Sequence, residues 1–266
     1  MGLIIENSRL GAPEQKLYRL VFESEAARTA QPGQFVHIRV TAAAAPLLRR
    51  PLSVAAIDAA GGRLAVYYRL KGQGTDLLSQ KRPGEKLDFL GPLGRGFTVP
   101  AAGELLLIAG GVGVFPLLSL GEEAGRRGIP SVLLWGGENR AFFAAAAAVA
   151  EHIPVRRLAT ADGSFGDRGL VTDLLTSFLA QPRGGGAATA VRRAAACGPY
   201  PMLKAVAATA RARRLPLEVS LETTMACGIG ACLGCASPGR DASGAAVMRR
   251  VCLDGPVFPA EEVEWL

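Results

Sequence analysis

The sequence predicts three parts in order along its 266 residues: an antiparallel β-barrel, an α/β unit on a parallel sheet, and a small C-terminal module. Three observations predict them. Short, partly alternating strands with Pro/Gly turns fill the residues up to about position 100. From about residue 101 apolar strands alternate with helical stretches. Four cysteines then follow in the spacing C-x4-C-x2-C-x16-C. The expected boundaries are 1–100, 101–221 and 222–266.

In the first part, strands are expected over 17–23, 34–40, 53–58, 64–70 and 86–90. Pro32-Gly33, Gly61-Gly62 and Pro83-Gly84 punctuate them as turns. Strands at such regular spacing fit a small barrel. In the second part, 104–109 reads as a buried strand, followed by a glycine turn and a helix opening near Pro116. Further strands are expected over 131–135, 155–159 and 188–196, with helices over 170–180 and 201–214. The alanine-rich run 141–150 reads as a helix of a water-soluble domain, and the Gly/Ala stretch 184–189 as a surface loop.

Cys227, Cys232, Cys235 and Cys252 organise the third part. Their spacing is ferredoxin-like and suits a [2Fe–2S] cluster. Three thiolates on one cluster require a tight chain. Gly228, Gly230 and Gly234 meet that need, because glycine adopts φ > 0 freely and lets backbone approach sulfur. The alternatives are zinc and disulfides. Structural zinc pairs two CxxC-type knuckles, and only Cys232 and Cys235 make one. Disulfides need an oxidising compartment. The N-terminus has no basic segment followed by a long apolar run, so a cytoplasmic location is expected.

No apolar run reaches the ~18 residues of a membrane span. Net charge is +7, from 30 basic and 23 acidic residues. The arginines are scattered beyond short pairs such as Arg126-Arg127, Arg192-Arg193 and Arg213-Arg214. Without a basic stripe or an aromatic platform, nucleic acid is not an expected partner.

Four motifs carry chemistry. Arg50-Pro51-Leu52-Ser53 offers a guanidinium fork for a pyrophosphate and a hydroxyl for a ring nitrogen; the alternative is an edge arginine beside a turn. Lys71-Gly72-Gln73-Gly74-Thr75 follows a strand and opens a helix at Asp76, either as an anion site or as a plain turn capped by Thr75. Gly110-Gly111-Val112-Gly113 joins strand to helix as a phosphate-binding turn does, without a full G-x-G-x-x-G. Cys197-Gly198-Pro199 ends a late strand, where ligands of open parallel sheets sit; Cys197 either approaches a ligand or fills the core. Glu138 lies where a carboxylate could accept from a ribose 2′-OH, with Arg140 close by.

The order of these motifs resembles the ferredoxin–NADP reductase superfamily, which joins a flavin-binding barrel to a nicotinamide-binding α/β domain. The cysteine run, Val251-Cys252-Leu253-Asp254-Gly255-Pro256-Val257-Phe258 and Gly91-Pro92-Leu93-Gly94-Arg95-Gly96-Phe97 narrow it. Together they closely resemble the electron-transfer subunits of NAD-dependent (class 1B) dihydroorotate dehydrogenases, over essentially the whole chain. The resemblance implies FAD contacts at Arg50, Pro51, Leu52, Ser53, Tyr67, Tyr68, Arg69, Gly74 and Thr75. It implies [2Fe–2S] ligation by Cys227, Cys232, Cys235 and Cys252, and nicotinamide contacts near Gly111, Gly113 and Cys197. The chain departs from the family at Leu233-Gly234, where an aromatic or polar residue is frequent.

The implied activity is electron transfer in pyrimidine (UMP) biosynthesis, with NAD as diffusible co-substrate. The implied partner is an FMN-containing dihydroorotate dehydrogenase catalytic subunit, in a heterotetramer of two copies of each. No dihydroorotate site is expected in this chain, and so no catalytic residue. Two other readings stand beside this one. The first is a related reductase subunit serving ferredoxin, sulfide or another partner. The second is a zinc-stabilised, non-redox binding subunit.

Overall fold

The computed structural model describes residues 1–181, 191–241 and 243–266. The barrel is made by β1 (Gly2–Leu10), β2 (Leu17–Glu23), β3 (Phe35–Arg39), β4 (Arg50–Asp58), β5 (Arg63–Arg69) and β6 (Lys86–Leu93). It closes in the order β1-β2-β5-β4-β3-β6. Every pairing is antiparallel. The inner face is the alternating apolar set: Leu20 and Phe22 of β2, Val36 and Ile38 of β3, Val54, Leu64, Val66 and Leu87. All are essentially excluded from water, so each contributes roughly 1.5–3 kcal/mol. Five of these strands are the expected ones, and β1 is an addition. Its Leu3-Ile4-Ile5 run is apolar at consecutive positions, so no clean alternation marks it, although only Ile4 of the three is buried.

A short helix, α1 (Gln73–Ser79), follows β5. It begins at Gln73, not at Asp76, and Gly72 rather than Thr75 is its N-cap. The α/β unit then runs through β7 (Glu104–Gly110), α2 (Phe115–Arg126), β8 (Ser131–Gly137), α3 (Arg140–Ala146), β9 (Val155–Thr160), β10 (Asp167–Arg168), α4 (Val171–Ala180), β11 (Val191–Cys197), α5 (Tyr200–Ala212) and β12 (Leu217–Ser220). Leu106, Leu107, Ile108, Leu133 and Leu134 are buried on both sheet faces, as a helix-covered parallel sheet requires. The alanine run is helical over α3 and tightens to a 3-10 turn over Ala147–Ala150. The glycine-rich stretch 184–189, and the first residues of the strand expected over 188–196, lie outside the described residues.

The C-terminal part holds a hairpin, β13 (Ala236–Arg240) with β14 (Ala246–Arg250), and a last strand, β15 (Val257–Pro259). β15 pairs antiparallel with β12 and completes the seven-stranded order β10-β9-β8-β7-β11-β12-β15. The barrel and the sheet are stitched by buried polar contacts. Ser119 of α2 donates to the Val54 carbonyl of β4 at 3.0 Å. The Glu218 carboxylate of β12 accepts from Thr98 N–H and Oγ1, both at 2.8 Å, and pairs with Arg193 at 3.2 Å. No helix among the described residues is long and apolar enough to cross a membrane.

Candidate functional site

Each part carries one candidate site. The first is on β4 and α1. Arg50 opens β4, and its guanidinium donates to the Leu48 carbonyl. A Cβ on Gly74 would collide with Arg50 Nε, so only glycine lets α1 lie against that guanidinium. Thr75 Oγ1 accepts from Lys71 N–H at 2.9 Å and Gly72 N–H at 3.3 Å, and donates to the Gly72 carbonyl. The threonine thus holds the turn in shape. Pro51, Leu52 and Ser53 are half-buried along the same strand. A cation held under a glycine, beside a glycine-rich turn that opens a helix, offers the charge that a pyrophosphate requires.

Neighbouring β5 splits its three expected residues. Tyr68 points into the barrel, stacks on Tyr18 at 5.4 Å and donates to Asn7 Oδ1 at 2.9 Å. Its side chain therefore belongs to the barrel core, which leaves the backbone of Tyr68 for the expected flavin contact. Tyr67 and Arg69 face the other way. Tyr67 stacks on Phe115 at 5.1 Å, at the start of α2. Arg69 pairs with Glu138 at 3.2 Å and lies over Phe142. Glu138 is thereby engaged with the barrel, and Arg140 is tied to Ser164 instead. Phe115 is not among the expected site residues, because an aromatic at a helix start looks like core.

The second site is the turn after β7. Gly111 has φ +54, and nothing lies within 4 Å of the point where a Cβ would stand, so the turn presents bare backbone to open space. Trp135 Nε1 donates to the Gly111 carbonyl at 2.9 Å and fixes the turn from below. Gly113 packs against the Cys197 carbonyl. Cys197 itself is fully buried, and burial pushes its thiol far above the ordinary range. Of its two expected roles the structure shows core packing. A dinucleotide at this turn would meet the open backbone of Gly111 rather than the thiol.

The third site is the cysteine loop. Cys235 and Cys252 are buried with their sulfurs 3.2 Å apart. Half-buried Cys227 and exposed Cys232 lie beside each other as a second pair. Backbone N–H groups aim at the sulfurs: Gly230 at Cys252 (3.1 Å), Ile229 at Cys227 (3.4 Å) and Gly234 at Cys232 (3.4 Å). The Ile229 N–H, then Cys232, lower the Cys227 thiol to about 6; burial, then the Cys235 thiol, push Cys252 up to about 12. Gly228 (φ +74) and Gly230 (φ +83) take the left-handed conformations, but the third is taken by Leu233 (φ +59) and not by Gly234. All-sulfur donors in two pairs, with N–H groups already aimed at them, fit an iron–sulfur cluster.

His37 is a functional-site candidate beyond those the sequence singles out. It lies on β3, fully buried, and among the described residues neither ring nitrogen has a well-aligned hydrogen-bond partner. A Cβ on Gly228 would collide with its Nδ1. Burial holds its pKa below the usual histidine value, against the opposing influence of the neighbouring Arg49 and Cys227 backbone. The available signal was a polar residue within the apolar run Phe35-Val36-His37-Ile38.

Known proteins resemble the chain at two levels. A solved structure described as an NADH-dependent reduced ferredoxin-NADP oxidoreductase superposes with a TM-score of 0.83 at 28% identity, over 100% of this chain and 90% of that one. The family model for the iron–sulfur cluster binding domain of dihydroorotate dehydrogenase B matches residues 222–264. The dihydroorotate dehydrogenase B (NAD(+)) electron transfer subunit of Geobacillus thermodenitrificans is 43% identical over 258 residues, 94% of this chain and 93% of its own. The chain belongs to that family of electron transfer subunits. A more distant member, from Desulforamulus reducens, is 38% identical over 93% of this chain and 92% of its own. The ferredoxin NADP+ reductase of Neisseria gonorrhoeae shares the fold alone, at 19% identity and a TM-score of 0.60, over 79% of this chain and 89% of that one. Membership agrees with the three parts of the chain: a closed six-strand barrel, a parallel sheet and a cysteine module.

Proposed function

We propose that this electron transfer subunit carries electrons from a dihydroorotate dehydrogenase catalytic subunit to NAD+, through a [2Fe–2S] cluster and FAD. The observation that carries this reading is the presence of three sites in one chain, the Arg50/Gly74 cradle, the Gly111 turn and the four-cysteine loop, with the cysteine loop packed against β3 beside the Arg50 strand. The family's printed name supplies NAD(+) and the electron-transfer role. We take the chain as a flavin unit over 1–100, a nucleotide unit over 101–221 and a cluster unit over 222–266.

When bound, FAD exchanges a hydride with nicotinamide, and the cluster passes electrons singly. The residues of this chain bind and orient those groups. Arg50 supplies the charge for the pyrophosphate, Gly74 lets α1 approach it, and Pro51 to Ser53 line the strand beside it. Tyr67 and Arg69 close the outer wall against Phe115 and Glu138. Gly111 and Gly113 shape the turn for the nicotinamide dinucleotide, with the Cys197 carbonyl packed beneath. Cys227, Cys232, Cys235 and Cys252 hold the cluster, and the N–H groups of Ile229, Gly230 and Gly234 stabilise its negative charge.

The partner is an FMN-containing catalytic subunit, in an assembly of two copies of each chain, in the cytoplasm. Residues 225–238 carry no charge. Ile229, Leu233 and Leu253 around the cysteines are 55%, 61% and 45% exposed, large values for apolar side chains. Depleted charge and exposed aliphatic groups fit a desolvated contact.

Metal and flavin analysis of the purified chain tests the reading. Two irons and one FAD per chain are expected. Stoichiometric zinc with negligible iron would support the zinc-stabilised binding subunit and sink this one.

A further inference from the structure

His37 is fully buried, and among the described residues neither ring nitrogen has a well-aligned hydrogen-bond partner, although the Arg49 and Cys227 backbone lies beside the ring. A neutral imidazole carries one donor and one acceptor. Leaving both unmade in a dry site is unfavourable, so packing alone does not account for histidine here. Leucine or phenylalanine would fill the same space without that penalty.

Its position says what the ring faces. On one side β3 pairs with β4 at His37–Pro51, one residue beyond Arg50 of the flavin cradle. On the other side the ring lies against the cysteine loop, with Nδ1 at the place a Gly228 Cβ would occupy. Phe35, two residues earlier on the same strand face, meets the His37 ring edge-on at 6.4 Å. Phe35 packs in the same apolar cluster as Cys235 and Cys252. This face of β3 is therefore the seam between the barrel and the cysteine loop. Gly228 has φ +74, so both its conformation and its contact with the ring exclude a larger residue.

We propose that His37 is a positioning residue for the cluster: its Nδ1 faces the Cys227–Gly228 turn, on the side of the flavin strand, and donates to that turn once the cysteines hold the cluster. The proposal rests on the reading that the four cysteines hold a [2Fe–2S] cluster. A donor aimed at the ligand turn stabilises the extra negative charge of the reduced cluster and so raises its potential. The same bond holds the turn against β3, which keeps the spacing between the Arg50 strand and the cysteines fixed.

The test is anaerobic redox titration of the purified chain, with electron paramagnetic resonance of the reduced cluster, for wild type, His37→Phe and His37→Asn. Phenylalanine keeps the packing and removes both nitrogens. Asparagine returns an amide donor close to the Nδ1 position. His37→Phe is expected to keep FAD, move the cluster midpoint to more negative potential and alter the resonance signal. His37→Asn is expected to recover most of that shift. If His37→Phe loses its iron altogether, His37→Asn decides: a potential near wild type supports the proposal, and a large shift overturns it. Unchanged potential and signal in His37→Phe overturn it as well. Absence of iron from the wild type is a different result, which would fail the cluster reading itself.

Discussion

Arg50 and Gly74 make a pair in which each residue constrains the other. Removing the guanidinium in Arg50→Ala deletes a charge-assisted contact worth roughly 1.5–3 kcal/mol, so FAD affinity should fall about ten- to a hundredfold. Retention of FAD during dialysis measures it; unchanged retention would move the cradle elsewhere. Gly74→Ala should act on the same site from the opposite side. Its methyl meets the far end of a flexible arginine, so the fold should survive while the guanidinium is displaced. The expected signature is weaker FAD binding with little change in the thermal stability of the apoprotein. Tyr68→Phe is the contrasting case. It removes the bond to Asn7 inside the barrel, which should lower stability by about 1 kcal/mol and leave FAD affinity alone.

At the scale of elements, the glycine turn after β7 depends on a tryptophan one strand away. Trp135 packs edge-on against Phe142 and Phe143 and reaches the Gly111 carbonyl through its indole N–H. Trp135→Phe should keep most of that packing and release the turn. A raised KM for NADH with an unchanged FAD content is expected from steady-state diaphorase assays. An unchanged KM would mean the turn holds its shape without the indole. Strand β2 was legible because Tyr18, Val21 and Phe22 favour strands and the segment is short and sharply bounded, and the cysteine spacing announced the cluster loop. Less of the site was legible. The split between Tyr67 and Tyr68 depends on which face of β5 meets α2, a tertiary fact with no local signal. Leu233 takes the left-handed turn because the loop geometry overrides its intrinsic preference, so a rule assigning that role to Gly234 fails. His37 becomes informative only when the cysteine loop is seen lying against β3.

At the scale of the whole molecule, the two ends of the proposed relay differ in chemistry. The cysteine loop presents uncharged, apolar surface, whereas the Gly111 turn opens as bare backbone, the proposed contact for a diffusing dinucleotide. Leu233→Glu places an unpaired charge in the proposed contact without touching a cluster ligand. It should abolish co-purification with the catalytic subunit while iron content stays at the wild-type level. Normal assembly would remove the loop from the docking surface. The central claim is that electrons reach NAD+ through the cysteine-bound cluster. The most direct measurement is NADH formation from dihydroorotate by the co-expressed complex, comparing wild type with Cys235→Ser. A serine oxygen is a poorer ligand than thiolate for such a cluster. The wild-type complex should produce NADH. The Cys235→Ser complex should lose that activity yet keep its FAD and its NADH oxidation with an artificial two-electron acceptor. Wild-type rates of dihydroorotate-dependent NADH formation in a Cys235→Ser complex that lacks the cluster would contradict the account.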